Sequence, residues 1–146
     1  MNPTAVVFSG TIAAPAEAVF DLLTTLRSFA DWLPGCESAN AAVPTLGKGT
    51  HFRLIVRSRD EPREVELEVI EFAAPTTLGW TELAPRQGAK TFFKLQFAGG
   101  STNLTMKHVS TARGLGGRLR AGRFSRRRVE RYFDAMLQNL RRAVGR

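Results

Sequence analysis

Hydrophobic positions along this chain change their spacing twice, and each change marks a change of backbone. Val6 to Ala13 alternates loosely and is rich in β-branched side chains, which predicts a strand, and Pro15 follows where proline suits the first turn of a helix. From Ala16 to Leu33 the apolar residues Val19, Phe20, Leu22, Leu23, Leu26, Phe29, Ala30 and Trp32 return every third or fourth position. The spacing predicts one helix, or two short ones bent near Arg27-Ser28, stopped by Pro34-Gly35. The period then falls to two. Thr50 to Ser58 sets Phe52, Leu54 and Val56 against His51, Arg53 and Arg57, and Arg63 to Phe72 sets Val65, Leu67 and Val69 against Glu64, Glu66 and Glu68. Both are half-buried antiparallel strands. Thr77–Leu83, Lys90–Ala98 and Ser101–Val109 continue the alternation across the turns PRQG and GGS, and a shorter strand is expected near Glu37–Val43.

The helical period returns in SRRRVERYFDAMLQNLRRAV, Ser125 to Val144. Val129, Tyr132, Phe133, Met136, Leu137, Leu140 and Val144 form one stripe, while Arg128, Arg131, Ala135, Gln138 and Arg142 are assigned to the opposite side. A helix from about Gly117 to Val144 is predicted. Burying its seven apolar side chains, at roughly 1.5–3 kcal/mol each, outweighs anything exposed arginines contribute to folding. The arginines are therefore the wet face of a core helix.

Charge sharpens this picture. The 146 residues carry a net charge of +8, with residues 1–85 holding 6 basic and 11 acidic groups and residues 86–146 holding 15 and 2. Such a basic C-terminal region can recruit an anionic membrane or an acidic protein. Specific nucleic-acid binding is not expected, because the aromatics here lie on the buried stripe and offer no base stacking beside the arginines. With 43% hydrophobic and 23% charged residues the composition is that of a globular chain, and one domain spanning residues 1–146 is expected. A lone cysteine, Cys36, rules out an internal disulfide, and no stretch approaches the length and apolarity of a membrane span. A cytoplasmic location is the expectation.

The order of these elements resembles the START-like helix-grip superfamily, also called the SRPBCC or polyketide cyclase/dehydrase group. The resemblance rests on IAAPAEAVFDLL, on Trp32 with Pro34-Gly35, on the LGKGT turn leading into HFRLIVRS, and on the terminal amphipathic helix. It covers nearly the whole chain and is nearest to small bacterial single-domain members, including the type named for the G-subunit of carbon monoxide dehydrogenase. It implies an α+β fold in which a curved antiparallel sheet of about six or seven strands wraps a long C-terminal helix, with one or two short helices after the first strand. It further implies a cavity for an apolar molecule such as a lipid, quinone or polyketide. The residues point the same way, since a sheet with one apolar face must cover the helix stripe and a curved sheet need not fit a straight helix completely.

The candidate lining follows from the inward faces. Phe52, Leu54, Val56 and Leu67 come from the first two central strands. Trp80 and Glu82 share a face with Leu78, and Leu104, Met106 and His108 share another. Trp32 belongs to the short helices, and Tyr132, Phe133 and Met136 to the long one. His108 alone among these has acid–base chemistry near neutral pH, which makes it the one catalytic candidate against the alternative of a hydrogen-bonded strand-end histidine. A carboxylate at Glu82 needs a partner if buried, and the Tyr132 hydroxyl could reach a bound molecule. No metal site is expected, since His51 and His108 fall on opposite faces and Cys36 has no companion at ligand spacing. No cofactor is expected either, because LGKGT and GLGGRLRAG lack the spacing of a phosphate loop. The second of these segments is read as a feed into the helix and a candidate lid. A carrier of an apolar small molecule is the leading reading, a polyketide cyclase or aromatase the alternative, and recruitment to an anionic membrane or acidic partner a third.

Overall fold

A computed structural model describes residues 4–58, 61–110 and 126–145. β1 (Thr4–Ile12) leads into α1 (Ala16–Thr24), a 3-10 turn at Leu26–Ser28 and α2 (Phe29–Trp32). Six strands follow: β2 (Cys36–Ala41), β3 (His51–Ser58), β4 (Glu61–Ala73), β5 (Thr77–Ala84), β6 (Lys90–Ala98) and β7 (Ser101–Ser110). The last described element is α3 (Arg126–Val144). The sheet runs β1-β7-β6-β5-β4-β3-β2, antiparallel at each pairing, so a six-strand meander is closed on one side by the N-terminal strand. This is the α+β helix-grip arrangement expected from the sequence.

Three local features shape it. The Pro15 carbonyl accepts the Ala18 and Val19 amides, at 3.1 and 3.2 Å, and so opens α1. The helical run breaks at Thr25, slightly earlier than the periodicity suggests. Thr25 is extended, with φ −92° and ψ 117°, because it bridges Thr45 while the Leu26 amide donates to the Pro44 carbonyl at 3.0 Å. Register shifts fall between Cys36 and Ser38, between Glu66 and Leu67, and between Val69 and Glu71. Such bulges bend a strand, and the β4–β5 pairing carries two, one with the extra residue Leu83 on β5 and one with Ile70 on β4.

The 19 described residues of α3 extend about 28 Å at 1.5 Å per residue. The helix lies against α1, α2 and β1. It packs tightly on β1 at Gly10, where an added Cβ would run into the Leu137 side chain. Phe133, Met136, Leu137 and Leu140 are buried, and Val129 and Val144 pack beside them. Phe133 stacks on Phe8 with ring centroids 5.9 Å apart. The expected helix start near Gly117 and the candidate lid GLGGRLRAG lie outside the described residues.

Candidate ligand-binding site

Between α3 and the middle of the sheet lies a cavity of about 420 Å³. Its apolar wall comes from every layer around it. Leu33 and Pro34 follow α2, Leu54 and Val56 come from β3, and Val65 and Leu67 from β4. Trp80, Phe93 and Met106 are contributed by β5, β6 and β7, and Val129, Tyr132 and Met136 by α3. Strand alternation aims these side chains inward, and the bulged curvature keeps them from closing on one another.

Nine of the thirteen candidate lining residues meet here: Leu54, Val56, Leu67, Trp80, Glu82, Met106, His108, Tyr132 and Met136. The other four are elsewhere. Trp32 is fully buried behind the wall, with its ring 4.9 Å from Phe29 and 6.2 Å from Phe93. Leu104 and Phe133 are packed in the core under β1 and α3. Phe52 packs on Trp80 at 5.5 Å and lines a different cleft, of about 440 Å³, beside His51, Arg53 and Glu66, whose charged walls do not suit an apolar molecule. Inward alternation does not distinguish a side chain that lines a void from one that fills it.

The cavity also holds polar groups. His108 and Thr91 are paired across β7 and β6, and the imidazole Nδ1 lies 3.1 Å from the Thr91 hydroxyl. Burial, assisted by the positive charge of Arg86, lowers the His108 pKa, so the ring is neutral at neutral pH. Glu82 accepts the Arg86 amide on its Oε2 at 2.7 Å. Burial raises its pKa, opposed by that hydrogen bond and by the Arg86 guanidinium. Tyr132 has 37% of its surface accessible, along the cavity it lines, yet the protein atoms crowding its hydroxyl push the pKa well above the ordinary tyrosine value.

Arginine is the feature that sequence periodicity conceals. Arg57, Arg63, Arg86 and Arg128 all line this cavity. Arg128, which the helical wheel assigns to the outer side, stands four residues before Tyr132 and therefore shares its face. Arg63 shares the inward alternation of Val65 and Leu67, a signal present in the sequence. Arg86 sits in the β5–β6 connection, where no periodicity applies.

Other candidate chemistry is absent or spoken for. Cys36 is buried, its thiol donates to the Ser38 carbonyl at 3.4 Å, and burial raises its pKa, which leaves it protonated and unsuited to attack. Among the described residues no three His, Cys, Asp or Glu side chains converge to hold a metal ion. No described helix is long and apolar enough to cross a membrane. Of the eleven basic residues from Arg113 to Arg146 behind the idea of membrane or acidic-partner recruitment, six are described, and nothing among the described residues supports that idea.

A curved sheet gripping a helix over an internal apolar cavity defines a ligand-binding helix-grip protein. The chain belongs to the family described as polyketide cyclase / dehydrase and lipid transport, which matches residues 3–145. Among solved structures it is similar to the Zhui aromatase/cyclase from Streptomyces sp. R1128, with a TM-score of 0.77, 22% identity, and coverage of 99% of this chain and 95% of that one. It is equally similar to TTHA0849 from Thermus thermophilus, with a TM-score of 0.77, 16% identity and 97% of each chain covered. The Ara h 8.0201 structure follows at a TM-score of 0.73 and 12% identity, with 98% of each chain covered. At these identities the likeness is one of fold. No curated protein matches in sequence, and the finer resemblance to the carbon monoxide dehydrogenase type has no counterpart among these findings.

Proposed function

We propose that this protein binds an apolar small molecule, of lipid, quinone or polyketide-like type, in the cavity between the sheet and α3. The observation that carries the reading is the cavity itself: about 420 Å³ of space walled by aliphatic and aromatic side chains from the inward positions of five strands and one helix face. That volume falls within the roughly 300–1,000 Å³ typical of small-molecule sites. The family description, which joins cyclase chemistry with lipid transport, agrees with it. Native mass spectrometry of the purified protein tests it, with release and identification of whatever is bound. A retained apolar molecule supports the reading. A protein that carries nothing, and takes up no member of a panel of lipids, quinones and aromatic polyketides, rules it out.

A second reading, cyclase or aromatase activity, is favoured by one observation. His108 is neutral, faces the cavity and is oriented by Thr91, which is the state a general base requires. Turnover of a polyketide-like chain that disappears in His108→Ala, while binding of the chain persists, would establish the enzyme over the carrier.

A further inference from the structure

The charged groups of the cavity are gathered at one end of the sheet. Arg57 closes β3, Arg63 opens β4, Arg86 follows β5, and Arg128 stands in the first described turn of α3. In an antiparallel meander the end of β3, the start of β4, the end of β5 and the start of β6 lie at the same edge. At this edge four arginines line the cavity, and among the described residues Glu82 is its single lining carboxylate. Arg57 is ion-paired to Glu37 at 2.8 Å, and among the described residues no carboxylate lies within ion-pair distance of Arg63, Arg86 or Arg128, whose three charges outweigh that of Glu82. The opposite part of the cavity is walled by Leu54, Leu67, Trp80, Phe93, Met106 and Met136, all buried.

We propose that the ligand is an amphipathic anion, a single apolar body bearing a carboxylate or comparable acidic head, and that Arg63, Arg86 and Arg128 select the head. This rests on the cavity being a small-molecule site. Guanidinium presents a planar fork of donors that matches a carboxylate or phosphate in two parallel hydrogen bonds, and Arg63, Arg86 and Arg128 are exposed, so their forks are open to an incoming head. The same arginines oppose a cationic head, although Trp80 and Tyr132 alone would welcome one. The cavity volume stands in the lower part of the range for small-molecule sites, which fits one chain or ring system and excludes a two-chain lipid held whole.

Isothermal titration calorimetry of the full chain with three probes that share a tail separates the possibilities: sodium dodecanoate, 1-dodecanol and dodecyltrimethylammonium, each below its aggregation concentration. The expected result is dodecanoate binding at least about tenfold more tightly than dodecanol, as one charge-assisted hydrogen bond supplies. The cation should bind most weakly, and added salt should erode the preference. Arg63→Gln/Arg86→Gln should close the gap between dodecanoate and dodecanol, and Arg63→Lys/Arg86→Lys should keep part of it. Equal affinity for the three heads, or a preference that survives the glutamine pair, overturns the proposal while leaving the apolar cavity standing. Failure of all three probes to bind overturns it as well, and the panel of lipids, quinones and aromatic polyketides then decides whether the cavity takes an apolar molecule at all.

Discussion

Trp80 and His108 show how much one neighbour decides. Trp80 forms cavity wall, whereas Trp32, the other tryptophan, is buried one ring behind it. Ligand uptake should therefore alter tryptophan emission, the change should persist in Trp32→Phe and vanish in Trp80→Phe, and a fluorescence titration checks it. His108 and Glu82 give opposite pH dependences. A histidine whose pKa is lowered in the fold binds its proton more readily when unfolded, so stability falls as pH drops through its unfolded value near 6.5. A glutamate whose pKa is raised contributes stability that is present in acid and lost as pH rises from its unfolded value through its folded one. Relative to the wild type, His108→Gln should lose less melting temperature between pH 7 and pH 5. Glu82→Gln, which keeps an oxygen for the Arg86 amide, should melt higher at pH 7, with the difference closing in acid. Thermal melts across pH decide both. A Glu82→Gln protein that melts lower at pH 7 would mean the carboxylate is needed ionised where it stands.

At the scale of elements, α3 is held by close approach as much as by greasy area. Phe133 is 2% exposed and stacked on Phe8, so Phe133→Ala should cost about 3–5 kcal/mol in chemical denaturation. Gly79 in β5 makes a parallel case, because a Cβ there would lie 2.5 Å from the Phe92 ring and 3.3 Å from Glu71 Cβ. Gly79→Ala should destabilise by about 1–3 kcal/mol through overpacking, read by the same denaturation. Neither glycine constraint is legible in the sequence, where Gly10 and Gly79 look like ordinary breaks in alternation. The elements themselves are legible, since periods of two and of three to four residues report the faces that must be buried. Lys90–Ala98 has the same bounds in the structure as in the sequence pattern, and the other strands agree within a few residues. What periodicity does not carry is distance across the core. It places Leu54, Trp80 and Met106 inward together with Leu104 and Phe133, yet only the first three border open space.

For the whole molecule, the cavity is a departure from dense packing that the fold sustains around it. Protein interiors are normally filled to crystal-like density, and unfilled volume forgoes dispersion contacts that would otherwise stabilise the chain. Here the surrounding rigidity comes from the aromatic cluster of Phe29, Trp32, Phe52, Trp80 and Phe93 at one side and from the β1–α3 contact at the other. A void kept open by such supports, and not by accident of loose packing, should accept a larger side chain without disturbing the frame. Val65 is the place to test this, being a partly buried cavity-wall residue on β4. Val65→Phe should leave unfolding free energy unchanged or raise it by about 0.5–2 kcal/mol, as cavity-filling substitutions commonly do, while weakening ligand uptake at least about tenfold. Denaturation and calorimetry on the same preparation check the two halves together. Loss of stability with uptake intact would show that the space at Val65 is filled in solution and that the ligand sits elsewhere.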